Sequence, residues 1–201
     1  MKSIFAFLLL VALTSCGNDK TTADTESLEV SITDTPAADA SAPDEEGIPT
    51  DEADDDDPYL VSNGYFLGLT PGGSLAEFVD GLRTGVLQTG DGDFDVHYID
   101  SAEGDELGYV MADPRDENTI GNIYITSTKV VTEKGVRVGI IFSELQEIMG
   151  ELEVHGSEIE GYTYANSDVL SFRLDAGNWS DKVDPSTIKP DTKVLEIVVK
   201  R

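Results

Sequence analysis

The chain has 201 residues and a mass of 21.6 kDa, with 13 basic side chains against 40 acidic ones and a net charge of −27. So few Lys and Arg argue against a nucleic-acid partner, whose phosphate counterions they would have to replace, and against docking on an anionic membrane through a basic patch. One Cys rules out disulfides within the chain and Cys-rich metal clusters, and two His leave little material for a zinc site.

Residues 1–15 have the form of a signal peptide. Lys2 supplies a positive start, and Ile4 to Leu13 is an almost unbroken apolar run. That run is about half the roughly 20 residues a membrane-spanning helix needs, and it matches the apolar region of a secretory signal. It leads into Leu13-Thr14-Ser15-Cys16, which resembles the lipobox of bacterial lipoproteins. The resemblance implies diacylglycerol on the Cys16 sulfur, cleavage before it, and acylation of the new amine. Two or three acyl chains, at about 0.8 kcal/mol per buried CH₂, hold a protein firmly on a bilayer. The expected address is therefore the cell envelope, with the membrane as a partner through Cys16 and the outer membrane as the site.

Residues 16–57 read as an acidic, disordered tether. From Gly17 to Asp57 there is no aromatic residue, Lys20 is the one base, and fifteen acids give a charge of −14. Too little apolar surface is present to offset chain entropy, and the charges repel. Such a coil has a root-mean-square reach of roughly 35 Å.

Residues 58–201 carry the aromatics and the hydrophobic periodicity, with 25 acids against 11 bases. Ser74-Leu75-Ala76-Glu77 has the form of a capping box, and Leu75, Phe78, Val79 and Leu82 then fit one helical face, with Gly85 as its stop. Ser143-Glu144-Leu145-Gln146 repeats the device, with Leu145, Ile148 and Met149 as the stripe and Gly150 as the stop. A short apolar strand precedes each helix, at Tyr65 to Leu69 and at Val136 to Ile141. Alternating segments follow: Phe94 to Ile99, Leu107 to Met111 and Ile120 to Thr126, then Tyr162 to Tyr164, Val169 to Leu174 and Val194 to Val199. In the last of these, Glu196 and Lys200 take the outward face. The Ser caps are 69 residues apart, and Ile123/Ile125 precede Leu195/Ile197 by 72. The pattern predicts an α+β fold: an antiparallel sheet with two short helices on one face, duplicated as strand, helix and meander in halves of about 58–130 and 131–201.

Thr119-Ile120-Gly121-Asn122-Ile123, Gly135-Val136-Arg137-Val138-Gly139, Phe142-Ser143-Glu144-Leu145, Gly177-Asn178-Trp179 and the closing Lys193-Val194 through Ile197 to Arg201 resemble, in order and spacing, the RpoE-regulated lipoprotein family. These are bacterial envelope lipoproteins with a domain of unknown function. The likeness covers most of Tyr65 to Arg201 and is best from Ile120 onward. The aliphatic-x-aliphatic-Gly pattern before a Ser-capped helix is also similar to the repeat of outer-membrane assembly lipoproteins and of β-lactamase-inhibitor-like domains. The family brings no catalytic residues to this chain.

Chemistry is sparse. Asp91, Asp93 and Asp95 alternate like calcium ligands, but Val96 and Ala102 stand where a calcium loop of the EF-hand type needs Gly and Glu. A polar turn accounts for them equally well. His97 and His155 lack the spacing of a helical metal pair. No nucleophile elbow or phosphate loop is present, and no cofactor is implied. Glu158/Glu160 and Asp105/Glu106 are the pairs that could act as acid and base. Trp179 offers an aromatic anchor, and Tyr162 and Tyr164 are candidate contact residues on the outer sheet face. The leading expectation is a non-catalytic binding or envelope-maintenance module for an envelope protein or small ligand. The alternatives are an envelope hydrolase using acidic residues and an inhibitor of a secreted enzyme.

Overall fold

The computed structural model describes Ala53 and residues 57–201, apart from Asp91 and Ile159. The expected signal peptide, Cys16, nearly all of the expected tether, and Asp91 lie outside the described residues. Asp57, the last tether position, accepts a hydrogen bond from the Tyr59 N–H and faces Arg137 at 3.7 Å.

The body opens with a hairpin, β1 (Leu60–Ser62) and β2 (Tyr65–Phe66). Its two-residue loop is Asn63-Gly64, both at positive φ. That backbone matches the strand twist, and Asn-Gly is the dipeptide that adopts it at least cost. Two 3-10 turns, Leu75–Glu77 and Val79–Gly81, lead into β3 (Arg83–Thr89). Then come β4 (Gly92–Asp100), β5 (Glu106–Asp113), β6 (Asp116–Ile125) and the short β7 (Val131–Thr132). The helix α1 (Phe142–Met149) precedes β8 (Glu153–Gly156), β9 (Tyr162–Asn166), β10 (Leu170–Gly177) and β11 (Val194–Val199).

One sheet has eight strands in the order β3-β4-β5-β6-β11-β10-β9-β8, antiparallel throughout. It consists of two four-strand meanders joined where β6 meets β11, with Ile125 opposite Ile197 and Ile123 opposite Val199. A smaller sheet, β2-β1-β7, pairs β1 parallel to β7.

The register lays aliphatic rows across one face of the large sheet. Ile125, Ile197, Phe172, Ala165 and Val154 are successive cross-strand neighbours. All are buried, and Ile125, Ile197, Phe172 and Ala165 are wholly inaccessible. Phe142 and Leu145 of α1, with Val61, Phe66 and Leu69 of the hairpin region, close over them in one continuous core.

This architecture corrects the expected α+β fold. The body is mostly β, and α1 is the one α-helix among the described residues, where two were expected. The segment after Ser74 fails as a helix because Asp80-Gly81 interrupts the apolar stripe before two turns are complete, and a helix that short does not repay its nucleation. The Ser74 side chain caps nothing. Gly85, expected as a helix stop, lies inside β3 opposite Val96. Strand, helix and meander therefore do not recur as a unit; what recurs is the four-strand meander. The helix that does form begins one residue before Ser143, with Ile141 at its N-cap, and the Glu144 carboxylate accepts the Ile141 N–H at 3.4 Å. Val136 to Ile141 is not a strand but contributes isolated bridges, Val131 to Arg137 and Ile141 to Lys193.

Candidate functional site

The second face of the large sheet carries a different set of side chains. Arg83, Tyr98, Tyr109, Tyr124, Val198 and Ser171 are successive cross-strand neighbours from β3 to β10. Beside them runs Glu196, Arg173, Tyr164 and His155. Because side chains alternate along a strand, the residues that flank the core residues in sequence point here. The face is concave, and its groove of about 520 Å³ takes lining from β3 through β9. That volume lies within the range of small-ligand sites.

Five of the chain's seven tyrosines line this groove. Tyr109 and Tyr124 stack with centroids 4.7 Å apart and planes 8° from parallel, and Tyr98 meets Tyr109 edge-on at 6.3 Å. The Arg83 guanidinium lies 4.4 Å from the Tyr98 ring centre, and that of Arg173 lies 5.1 Å from the Tyr162 ring centre. Both are within cation–π range. Tyr98 is seated by Gly85: a Cβ there would come within 2.5 Å of the Tyr98 ring, so only glycine leaves room for it.

Glu196 sits at the floor, 5 % exposed. Tyr109 donates its hydroxyl to one carboxylate oxygen at 3.1 Å, and Arg173 donates Nε–H to the other at 3.4 Å. Burial pushes the Glu196 carboxyl above its ordinary range, while the Arg173 charge and the two hydrogen bonds pull it back. Burial also raises the Tyr109, Tyr124 and Tyr164 phenols, and the Glu196 charge adds to it in each, so all three are neutral at ordinary pH. Both Glu196 oxygens are thus engaged at the floor of the groove. The pairing of Glu196 with Arg173 holds that floor.

The expected site residues fall in several places. Tyr162 and Tyr164 line the groove, half-buried. Trp179 is 65 % exposed and stands outside the groove lining. Its ring covers Gly161, where a Cβ would come within 2.7 Å of it and φ is +69°. It thus braces the turn that leads into β9. Asp93 and Asp95 are exposed on β4, and no group of three potential metal ligands occurs among the described residues. The His155 ring shares a 2.6 Å hydrogen bond with the Asp181 carbonyl, at the far edge of the sheet. Of the acid pairs, Asp105 engages Lys129, Glu106 receives Arg83 at 3.1 Å, and Glu160 lines the groove.

Tyr98, Tyr109, Tyr124 and Arg173 were not singled out in the sequence, and Glu196 was placed only on the outward face of the last strand. A signal did exist: one Tyr at matching parity in each of three successive strands. Which tyrosines become neighbours depends on the strand register, and the turns on either side do not reveal it.

No family model matches the chain, and no curated protein matches it. A solved structure, the crystal structure of the uncharacterized protein YfeY from Escherichia coli, is similar with a TM-score of 0.46 and 18 % sequence identity. The match covers 71 % of this chain and 99 % of that one.

Proposed function

We propose that this protein is a non-catalytic binding module of the bacterial cell envelope, held on the outer membrane by lipid on Cys16, which uses the tyrosine groove as its recognition surface. The groove carries the reading: half-buried aromatic rings surround a fixed polar floor. Rigid rings give large contact area at little entropic cost, and Tyr is enriched where proteins bind partners. The lipobox resemblance of Leu13 to Cys16, the apolar run before it and the acidic segment 16–57 support the anchored arrangement. A tether of that length confines the body near the bilayer and raises its effective concentration at a membrane-bound partner.

Two experiments test this. The full chain should partition into detergent and the Cys16→Ala chain into buffer; equal partitioning overturns the anchor. A photo-crosslinking residue at position 98 or 124 should trap an envelope component that the same residue at exposed position 189 does not. Identical products from the groove and from position 189, or no product from the groove, overturn the binding role.

A further inference from the structure

We infer that the tyrosine groove takes a linear organic polycation, an alkyl chain bearing several protonated amines. This rests on the binding-module reading and names its ligand class. Three observations point to it.

First, the rings of this face already hold cations. Arg83 lies over Tyr98 and Arg173 over Tyr162, at 4.4 and 5.1 Å. The Tyr124 ring, on β6 between those two pairs, and the Tyr164 ring, on the same strand as Tyr162, are the same kind of π surface.

Second, the charge is complementary. Glu106, Glu160 and Glu196 line the groove against Arg173, and residues 58–201 carry 25 acids against 11 bases. Arg83 offsets Glu106 and Asp100 in part, leaving that rim cluster still negative. A concave surface of one sign concentrates counterions of the other. An anionic ligand is repelled here, and a neutral one gains nothing from the field.

Third, the aromatic floor is long. From Tyr98 on β4 to Tyr164 on β9 the sheet crosses five strand intervals, or about 24 Å along its surface at the usual strand spacing. Glu106 opens β5 and Glu160 stands in the turn before β9, so exposed carboxylates lie toward both ends of that length. Leu87, Phe94 and Met111 supply apolar contact for methylene segments. A chain of amines separated by methylenes fits such a sequence of surfaces better than a compact cation does.

The test is calorimetric titration of the full chain with spermine, alongside peracetylated spermine, which keeps the chain and loses the charge. The expected result is saturable binding of spermine only. Tyr124→Ala and Tyr164→Ala should each weaken it by about tenfold, between the losses that exposed and desolvated cation–π contacts carry. Tyr164→Phe, which keeps the ring, should bind within about twofold of the native chain, since the ring face supplies the contact. If Tyr124→Ala fails to fold by circular dichroism, the Tyr164 pair carries the test. No binding, or spermine affinity unchanged by Tyr164→Ala, overturns the inference, the second outcome marking diffuse charge attraction. A neutral or anionic component crosslinked from position 124, with no spermine binding, removes the polycation and leaves the binding module standing. No groove-specific crosslink and no binding removes both.

Discussion

The two faces of the eight-stranded sheet are built by the same strands and do opposite things. On one, Ile125, Ile197, Phe172 and Ala165 lie in line and are fully excluded from water. On the other, Tyr98, Tyr124, Tyr162 and Tyr164 stay half-buried over a buried Glu196 paired with the half-buried Arg173. The apolar face contributes stability by removing aliphatic area from water, at about 25 cal/mol per Å². The tyrosine face gains less from burial, since its rings remain partly solvated and its ion pair is costly to desolvate. An antiparallel sheet of period two can keep one face for folding and the other for recognition.

Truncations should separate the two faces. Phe172→Ala, at the centre of the aliphatic row, is expected to cost about 3–5 kcal/mol in urea unfolding. A loss under about 1 kcal/mol would mean that the row is not packed as described. Glu196→Ala leaves Arg173 without its partner. Because Arg173 retains some solvent access, the cost should be about 2–3 kcal/mol, below that of a fully buried broken pair. Glu196→Ala matching or exceeding Phe172→Ala would break the assignment of stability to the apolar face.

Gly85→Ala is a smaller probe. The added methyl meets the Tyr98 ring, so the ring must leave its place over β3, at a cost of about 1–2 kcal/mol. The Tyr98 ring proton shifts should move while those of Phe172 stay fixed. Coupled shifts on both sides of the sheet would show that the faces are not independent.

The gentlest probe is titration. Glu196 is raised above its ordinary value of 4.5, so the folded state holds that proton to higher pH than the unfolded chain does. Its contribution to stability is therefore full below 4.5 and is lost as pH rises through the raised value. Asp100, hydrogen-bonded by Arg83, and Asp116, hydrogen-bonded by Thr119, are lowered from 3.8. Their contributions are present above 3.8 and are lost as pH falls through the lowered values. Carboxyl chemical shifts followed by NMR should place Glu196 above 4.5 and both aspartates below 3.8. A Glu196 midpoint at or below 4.5 would mean that the groove floor is wetter than its burial implies.

Much of the strand content was legible because alternation is a local property. Phe94 to Ile99 and Leu107 to Met111 lie within β4 and β5, and Tyr162 to Tyr164 within β9. The apolar stripe from Leu75 to Leu82 misled for an equally local reason: its spacing suits a helix, but β3 takes up the residues after Leu82 to pair with β4. The Asn63-Gly64 dipeptide is itself a local signal for the β1–β2 hairpin. Glu196 is the instructive miss. Alternation correctly turns it away from the aliphatic core, yet being turned away from the core does not mean being turned to water once Tyr109 and Arg173 cover it.

Composition and short-range pattern alone determined the acidic charge, the apolar run ahead of Cys16, the change of character near residue 58 and the alternating segments, because each depends on neighbours within a few residues. Only the tertiary structure decided that Ser74 starts no helix, that two meanders join at β6 and β11, and that five tyrosines, an Arg and a Glu share one groove. Those outcomes hang on strand register and on which distant segment wins a given set of backbone hydrogen bonds. That competition is settled by the whole chain at once.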